Sequence, residues 1–328
     1  MANIKDVAKL ANVSITTVSM VLNNRDNKIS EKTREKVIKA ANKLNYSPNP
    51  IARSLVMKRS NAILLVIPDI SNPFFGVMAK ELSVLFEKEG YWLYIYNSSV
   101  GNFDERVFLD LVEKNFIELS LIVDRRAKNF SSKTRDRHKI IFLDEINDEG
   151  MTVTCDNERG GYIVSEYLLD NTYKNIGLIA GEKDSMNSNQ RIKGFLKNFK
   201  IRNIDFDKNN IFYGNYTFES GYENAKKLLQ RKVDAVFCLN DMMAFGLIKY
   251  CKENNINVPN DLSVVGYDDV FISDLLSPRL TTINQDHQEI AREVIDLSKK
   301  ILSKETIDKK KILIKPVLVK RDSVKERI

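Results

Sequence analysis

Val13-Ser-Ile-Thr-Thr-Val-Ser-Met-Val-Leu-Asn-Asn24 sets hydroxyl, amide and thioether side chains between aliphatic ones at helical intervals. At about 100° per residue, Val18, Val21 and Leu22 fall on one side of a helix capped by Ser14, and Thr16, Met20 and Asn23 fall on the other. Upstream, Asn3 can cap a helix whose apolar positions Ile4, Val7, Ala8 and Ala11 recur at three- and four-residue steps, with Asp6 in its favourable first turn. Only Asn12 and Val13 separate the two. Downstream, the pattern predicts a third helix after Ser30, with Glu31 in its first turn and Val37, Ala40, Ala41 and Leu44 facing inward. Three such helices barely enclose a core. A polar second helix after a tight link is suited to reading base edges in a major groove. On pattern alone, a merely solvated face competes evenly with that reading.

The charge distribution decides between them. The 328-residue chain carries a net charge of +7. Residues 1–60 hold 12 Lys+Arg against 4 Asp+Glu, and the remaining residues hold 39 against 40. All of the basic excess therefore sits in the first sixty residues, as expected of a polyanion-binding head joined to a nearly neutral regulatory or catalytic body. The length exceeds that of a single core, so at least two domains are expected. The aliphatic run Ala62-Ile-Leu-Leu-Val-Ile67 is far too short to span a bilayer, and the first residues lack the apolar core of a signal peptide. A cytoplasmic protein with no membrane partner is the expectation. Cys155, Cys238 and Cys251 are odd in number, widely spaced and in apolar surroundings, which predicts buried free thiols. No motif calls for a metal or a cofactor.

Leu44-Asn-Tyr-Ser-Pro-Asn-Pro-Ile-Ala-Arg-Ser-Leu-Val-Met-Lys58 places two prolines ahead of a short helix-compatible segment over residues 51–57. A helix of about two turns is marginal alone in water, so the segment is expected to order on DNA beside its twofold mate. Leu55 would then be an apolar wedge for a minor groove. An ordinary linker with a stray leucine is the plain alternative.

Ile4-Lys-Asp-Val-Ala-Lys-Leu-Ala-Asn-Val-Ser14, Thr17-Val-Ser19, Val21-Leu-Asn23, and Tyr46-Ser-Pro-Asn49 with Ala52-Arg-Ser-Leu55 together resemble the DNA-binding head and hinge helix of the lactose repressor (LacI/GalR) family. That resemblance implies a homodimer placing two heads on a palindromic operator in double-stranded DNA. By motif position it makes Ile15 and Thr16 base readers. Ser14, Thr17, Ser19 and Asn23 become supporting phosphate or base contacts, and Tyr46, Asn49, Ala52 and Leu55 become hinge contributors. Met20 departs from the family's common arginine. A thioether offers only apolar contact where a guanidinium can grip a guanine, so an operator altered at that position is expected.

From residue 61 the rhythm changes to apolar runs alternating with amphipathic stretches. The runs at 62–67, 92–96, 119–123, 139–143, 176–180, 235–239 and 262–267 read as strands. The stretches at 74–88, 105–114, 158–169, 190–199, 219–230 and 242–253 read as helices. Such alternation is the signature of parallel sheets with helices on both faces. The fold class expected is an all-α helix-turn-helix head followed by an α/β core of two doubly wound parallel-sheet subdomains. Ligands of open parallel sheets bind beyond the carboxyl ends of the strands. Candidates there are Asp69, Asp144, Asn240, Asp241, Asp268 and Asp269, joined by Arg191 and Gln285, with Phe74, Phe75 or Tyr216 as apolar platforms. Carboxylates, amides and one guanidinium suit a small hydroxyl-rich molecule. For any one strand-end Asp, simple capping of the next helix is the commoner role.

Pro68-Asp-Ile-Ser-Asn-Pro-Phe-Phe75, Asp156-Asn157, Arg191 with Gly194-Phe195, Asn240-Asp-Met-Met-Ala-Phe-Gly246, Asp261-Leu-Ser-Val-Val-Gly-Tyr-Asp-Asp269, Pro278-Arg-Leu-Thr-Thr282 with Gln285, and a closing strand like Val319-Lys-Arg-Asp-Ser323 extend the family resemblance over nearly the whole chain. It implies a core similar to periplasmic sugar-binding proteins, two subdomains crossed by three strands, with the effector surrounded by Asp69, Phe74, Phe75, Asp144, Arg191, Tyr216, Asn240, Asp268 and Gln285. The expected boundaries are a head at 1–48, a hinge at 49–60 and a core at 61–328. Within the core, one subdomain takes about 61–157 and 287–318 and the other about 158–284 and 319–328. Two departures, Val123-Asp-Arg-Arg126 in place of a common Asp-Gly and His138-Lys139 in place of a common proline, are expected near the first subdomain's dimer and cleft surfaces.

The leading expectation is a repressor whose operator affinity is set by a small effector, a sugar or sugar phosphate first among them. A phosphoprotein corepressor is the less favoured partner. An enzyme is disfavoured, because the chain shows no nucleophile elbow, dinucleotide fingerprint or Walker-type loop, and neither His138 nor His287 has a convincing nucleophile beside it. An exported solute-binding protein would need a signal peptide and would gain nothing from a basic head. With no heptad tail after residue 328, a dimer is expected over a tetramer.

Overall fold

The three short helices expected of the first residues form at Ile4–Ala11 (α1), Ile15–Leu22 (α2) and Glu31–Lys43 (α3). A computed structural model of the protein describes residues 2–22, 29–47, 60–144, 150–307 and 310–327, and the chain divides into two units, Met1–Ser60 and Asn61–Ile328. In the head, Asn3 and Asp6 close a capping box, with Asn3 N donating to Asp6 Oδ2 at 2.9 Å. Ser14 Oγ accepts from Thr17 N at 3.0 Å and so caps α2. The core is built from small side chains that let the helices approach: Val7, Ala8, Ala11, Val18, Val21, Val37, Ala40 and Ala41. Ile4, Leu22, Leu44 and Tyr46 pack half-buried around it.

The body holds twelve described strands and eight described α-helices. Six parallel strands, Ala62–Ile67 (β1), Trp92–Asn97 (β2), Leu119–Ile122 (β3), Ile140–Leu143 (β4), Met151–Cys155 (β5) and Lys311–Ile314 (β11), form one sheet in the order β11-β5-β4-β3-β1-β2. Four more, Ile176–Ala180 (β6), Ile211–Tyr213 (β7), Ala235–Cys238 (β8) and Ser263–Val265 (β9), form a second parallel sheet, β7-β6-β8-β9. Thr282–Asn284 (β10) and Val317–Val319 (β12) pair antiparallel. The chain passes between the sheets after Cys155, after Asn284 and after Ile314. Its last described residues are tied to the second sheet, where Ser323 Oγ donates to Val264 O at 2.6 Å.

The helices are Pro73–Lys88 (α4), Glu105–Lys114 (α5), Ser132–Arg137 (α6), Asn157–Asp170 (α7), Met186–Ile201 (α8), Phe218–Leu229 (α9), Asp241–Glu253 (α10) and His287–Ser303 (α11). α4 and α11 cover one face of the first sheet and α5 the other. Ile63, Leu65 and Ile67 point to the side of Phe74, Met78, Leu82 and Phe86, while Leu64 and Val66 point to that of Phe108 and Phe130. α7 and α8 meet backbone to backbone, because a Cβ on Gly161 would lie 1.9 Å from Arg191 O and one on Gly194 would lie 1.8 Å from Glu158 O. That contact sets the height of Arg191.

Several elements differ from the sequence reading. β5, β7, β10, β11 and α11 are absent from its apolar runs: β5 alternates Thr152 and Thr154 with Val153 and Cys155, and the others are short or strongly charged. The strand read over 262–267 is Ser263–Val265, and beyond it Gly266 N donates to Thr281 O at 2.9 Å and Asp268 N to Ile283 O at 2.8 Å as the backbone turns, with φ of 122° at Asp268 and 54° at Asp269. The closing strand is Val317–Val319, and residues 320–323 lie beyond it. The three cysteines are free and buried, as expected. No helix among the described residues is long and apolar enough to cross a membrane.

Candidate functional site

The carboxyl ends of the strands of both sheets face a common cavity of about 590 Å³. Asp69 follows β1, Asp144 follows β4, Tyr216 follows β7, Asn240 follows β8, Asp268 follows β9 and Gln285 follows β10. Phe74 and Phe75 come from the first turn of α4, and Arg191 from α8. All nine line the cavity. Three of them need a left-handed or strained backbone to turn into it, with φ of 65° at Asp144, 67° at Tyr216 and 122° at Asp268.

Arg191, 3% exposed, is the centre of the second-sheet wall. Its Nε donates to Asn157 Oδ1 at 2.7 Å, one terminal nitrogen donates to Leu239 O, and the guanidinium lies 3.6 Å from the centroid of the Tyr267 ring. Asp268 Oδ1 stands 3.9 Å from that nitrogen and accepts from Gln285 Nε2 at 2.7 Å. Gln285 Oε1 is buried and has no partner. Burial alone would lower the Arg191 pKa, but Tyr267, Asp268, Tyr216 and Asp144 outweigh it and raise it further. Burial raises the carboxyl of Asp144 although Arg191 and a hydrogen bond with Asn187 oppose the shift. Asp268 is raised well above its ordinary value, again by burial and against Arg191. A buried guanidinium thus faces two carboxyls that ionise reluctantly, so the wall can both donate and accept hydrogen bonds.

Phe74 meets Phe75 edge-on at 5.1 Å and His287 at 4.7 Å. His287 backs this aromatic wall, and burial lowers its pKa to about 4, so the ring is neutral. Asp69 accepts from the amide and hydroxyl of Ser71 at 2.9 and 2.8 Å. Tyr216 lies over Gly181, where a Cβ would fall 2.1 Å from Tyr216 Cζ, and its hydroxyl is 2.8 Å from Ser185 Oγ. Asn240 does two things. Its Oδ1 caps α10 through Met243 N at 3.0 Å, and its Nδ2 donates to Tyr216 O at 2.9 Å. Asp241 instead anchors the strand crossing, accepting from Val270 N, Ser273 Oγ and Thr282 Oγ1. Asp269 pairs with Arg321 at 2.7 Å.

Sequence reasoning missed Ser185, Asn187 and Glu182 as lining residues, whereas the Asp124-Arg125-Arg126 loop lies at the cleft as expected. Asn187 was recoverable, because it stands four residues before Arg191 on the same helix face. Arg126 binds Asp124 through Nε at 2.9 Å and donates to Ser98 O at 2.9 Å. Burial works against the Asp124 carboxylate, but hydrogen bonds from Arg126 and Ser98 hold its pKa below the ordinary value. Arg125 reaches from the end of β3 to the loop after β6, 2.6 Å from Glu182 Oε2 and 2.7 Å from Asp184 Oδ1. An ion-pair clasp therefore spans the cleft. His138 corrects the sequence reading: it lies at the amino end of β4, remote from strand ends that face the cavity, with its ring edge-on to Phe108 at 6.0 Å.

In the head, Ser14, Ile15, Thr16 and Met20 are exposed, and Thr17 and Ser19 are half-buried. The Ser14 and Thr17 hydroxyls lie 2.9 Å apart within the cap of α2. The 44% exposure of both Ile15 and Met20 leaves apolar groups in solvent on a helix whose other side is core. Tyr46 packs half-buried on that core. Asn23, Asn49, Ala52 and Leu55 lie outside the described residues.

A three-helix head bearing an exposed mixed-polarity helix, together with a two-sheet body whose strand ends enclose a polar cavity, is the make-up of a DNA-binding regulator with a ligand-binding body. Residues 3–49 match the family model for bacterial regulatory proteins of the lacI family, and residues 165–324 match a periplasmic binding protein-like domain. The chain is 34% identical over 332 residues to the HTH-type transcriptional repressor PurR of Histophilus somni (strain 2336), covering 99% of each chain. It is 33% identical over 306 residues to the HTH-type transcriptional regulator DegA of Bacillus subtilis (strain 168), covering 88% of each. Among solved structures, the lac repressor dimer bound to operator and the anti-inducer ONPF is similar with a TM-score of 0.85 and 26% identity, over 98% of each chain. The chain belongs to the LacI family. It is a DNA-binding transcriptional repressor with a ligand-binding body, and not an enzyme.

Proposed function

We propose that the protein acts in the cytoplasm as a homodimer on a palindromic operator, and that a small effector held by Asp69, Phe74, Phe75, Asp144, Arg191, Tyr216, Asn240, Asp268 and Gln285 sets its operator affinity. A sugar is the leading class of effector. The observation that carries this reading is the convergence of those nine residues on one cavity between the strand ends of two sheets. Effector binding changes the angle between the two sheet units, and linkage transmits that change to the heads. The edge strand β2 supports dimerisation, since Trp92 is 66% exposed and Tyr94 and Ile95 are exposed beside it. The similar lac repressor structure is a dimer bound to operator.

Ser14, Ile15, Thr16, Thr17, Ser19, Met20 and Asn23 are the proposed head contacts, with Tyr46, Asn49, Ala52 and Leu55 in the hinge. Thermal-shift screening of the full chain against sugars, sugar phosphates and nucleobases tests the cleft, because a ligand bound only to the native state raises the melting point. A screen in which no member of any class does so counts against the proposal. Selection from random duplexes tests the heads. The expected operator lacks a required guanine opposite Met20, and Met20→Arg should create that requirement; a guanine already required by the parent chain would remove the idea.

A further inference from the structure

We infer that the cleft is selective for an uncharged, hydrogen-bond-rich effector and discriminates against its phosphorylated form, because every guanidinium lining the cavity is already engaged. The inference rests on the cleft being the effector site. Six carboxyl groups line the cavity, those of Asp69, Asp124, Glu182 and Glu219 together with the reluctantly ionising Asp144 and Asp268, against the three guanidiniums of Arg125, Arg126 and Arg191. Arg125 is held between Glu182 and Asp184. Arg126 faces Asp124 through two nitrogens, at 2.9 Å from Nε and 2.5 Å from a terminal nitrogen, and also donates to Ser98 O. Arg191 is fixed by Asn157, Leu239 O and the Tyr267 ring beside Asp268.

A phosphate arriving here would have to displace a carboxylate from Arg125 or Arg126, or reach Arg191 past the acceptors and the two carboxyls that already surround it. The helix amino termini at the cavity are partly taken up by their own caps. Asn72, Ser185, Thr217 and Asn240 each turn a side-chain oxygen back onto a first-turn amide of their own helix, at Phe74, Ser188, Ser220 and Met243. The one buried lining side-chain oxygen without a partner among the described residues, Gln285 Oε1, is an acceptor. It asks for a hydroxyl or N–H on the ligand, which an ionised phosphate lacks.

The test is calorimetry and thermal shift on the full chain with matched pairs: glucose and glucose 6-phosphate, ribose and ribose 5-phosphate, adenosine and AMP, and inorganic phosphate alone. The expected result is that compounds raising the melting point are uncharged and that adding a phosphate weakens binding about tenfold or more. A phosphorylated member binding more tightly than its parent would overturn the inference while leaving the effector site standing. Silence of every compound would instead take away the effector reading, and this inference with it. In Asp124→Asn, which leaves Arg126 without its carboxylate, the preference for the uncharged member should fall severalfold. A preference unmoved in that variant, with melting showing it folded, would remove the charge argument.

Discussion

Replacing Arg191 by Met keeps most of the side-chain volume and removes the one charge that both buried carboxyls face. Asn157 Oδ1 and the Leu239 carbonyl lose a donor, and the Tyr267 ring loses a cation 3.6 Å away. Breaking a buried charge pair from one side costs about 3–5 kcal/mol, so Arg191→Met should destabilise the body by that order. The deficit should also depend on pH. Asp144 and Asp268 have folded pKa values raised above 3.8, so between that value and the raised one the native state binds more protons than the unfolded chain and stability falls as pH rises. Arg191 opposes both shifts. Without it the folded values climb, the window extends upward, and the loss of stability is larger near pH 8 than near pH 5. Urea unfolding followed by far-ultraviolet circular dichroism at those two pH values reads both numbers. A deficit below about 1 kcal/mol, or one that shrinks as pH rises, would refute the electrostatic account of the wall.

Other perturbations separate the site from its scaffold. Gly181→Ala places a Cβ 2.1 Å from Tyr216 Cζ, so it should move that ring, weaken ligand binding by about tenfold or more and destabilise by about 1–3 kcal/mol; wild-type affinity by calorimetry would contradict the stacking described. Gly76→Ala in α4 meets nothing within 4 Å and should stabilise by about 0.5–1 kcal/mol, read as a higher melting point with ligand affinity unchanged. Arg125→Ala should open the cleft while changing global stability little, because the clasp is partly solvated. Solution scattering should show a larger radius of gyration for the variant at low salt, and the parent should approach it at high salt; identical curves throughout would deny the clasp a role.

The sequence made the central strands plain because parallel strands buried on both faces need unbroken aliphatic runs, as in Ala62–Ile67, which is buried throughout. It concealed those whose burial is met by hydroxyls or by very few residues, such as Met151–Cys155 and Thr282–Asn284. In the site, strand-end position and family resemblance together pointed to nine of the residues that line the cavity. Neither could say that Asn240 caps a helix and holds Tyr216 at once, or that Asp241 anchors the strand crossing, since both follow the same strand. The Asp124-Arg125-Arg126 loop read as a departure near the cleft, without partners. Only distance reveals it as a clasp, because its partners Glu182 and Asp184 come from the other sheet, nearly sixty residues away.

The central claim is that occupancy of the cleft changes the grip of the heads on DNA. Its most direct test is fluorescence anisotropy of the full chain with an operator enriched from random duplexes, with and without a compound that raises the melting point. The account predicts that saturating the cleft shifts operator affinity by about 5–150-fold in one direction. An operator affinity unchanged while calorimetry shows the cleft full would contradict it.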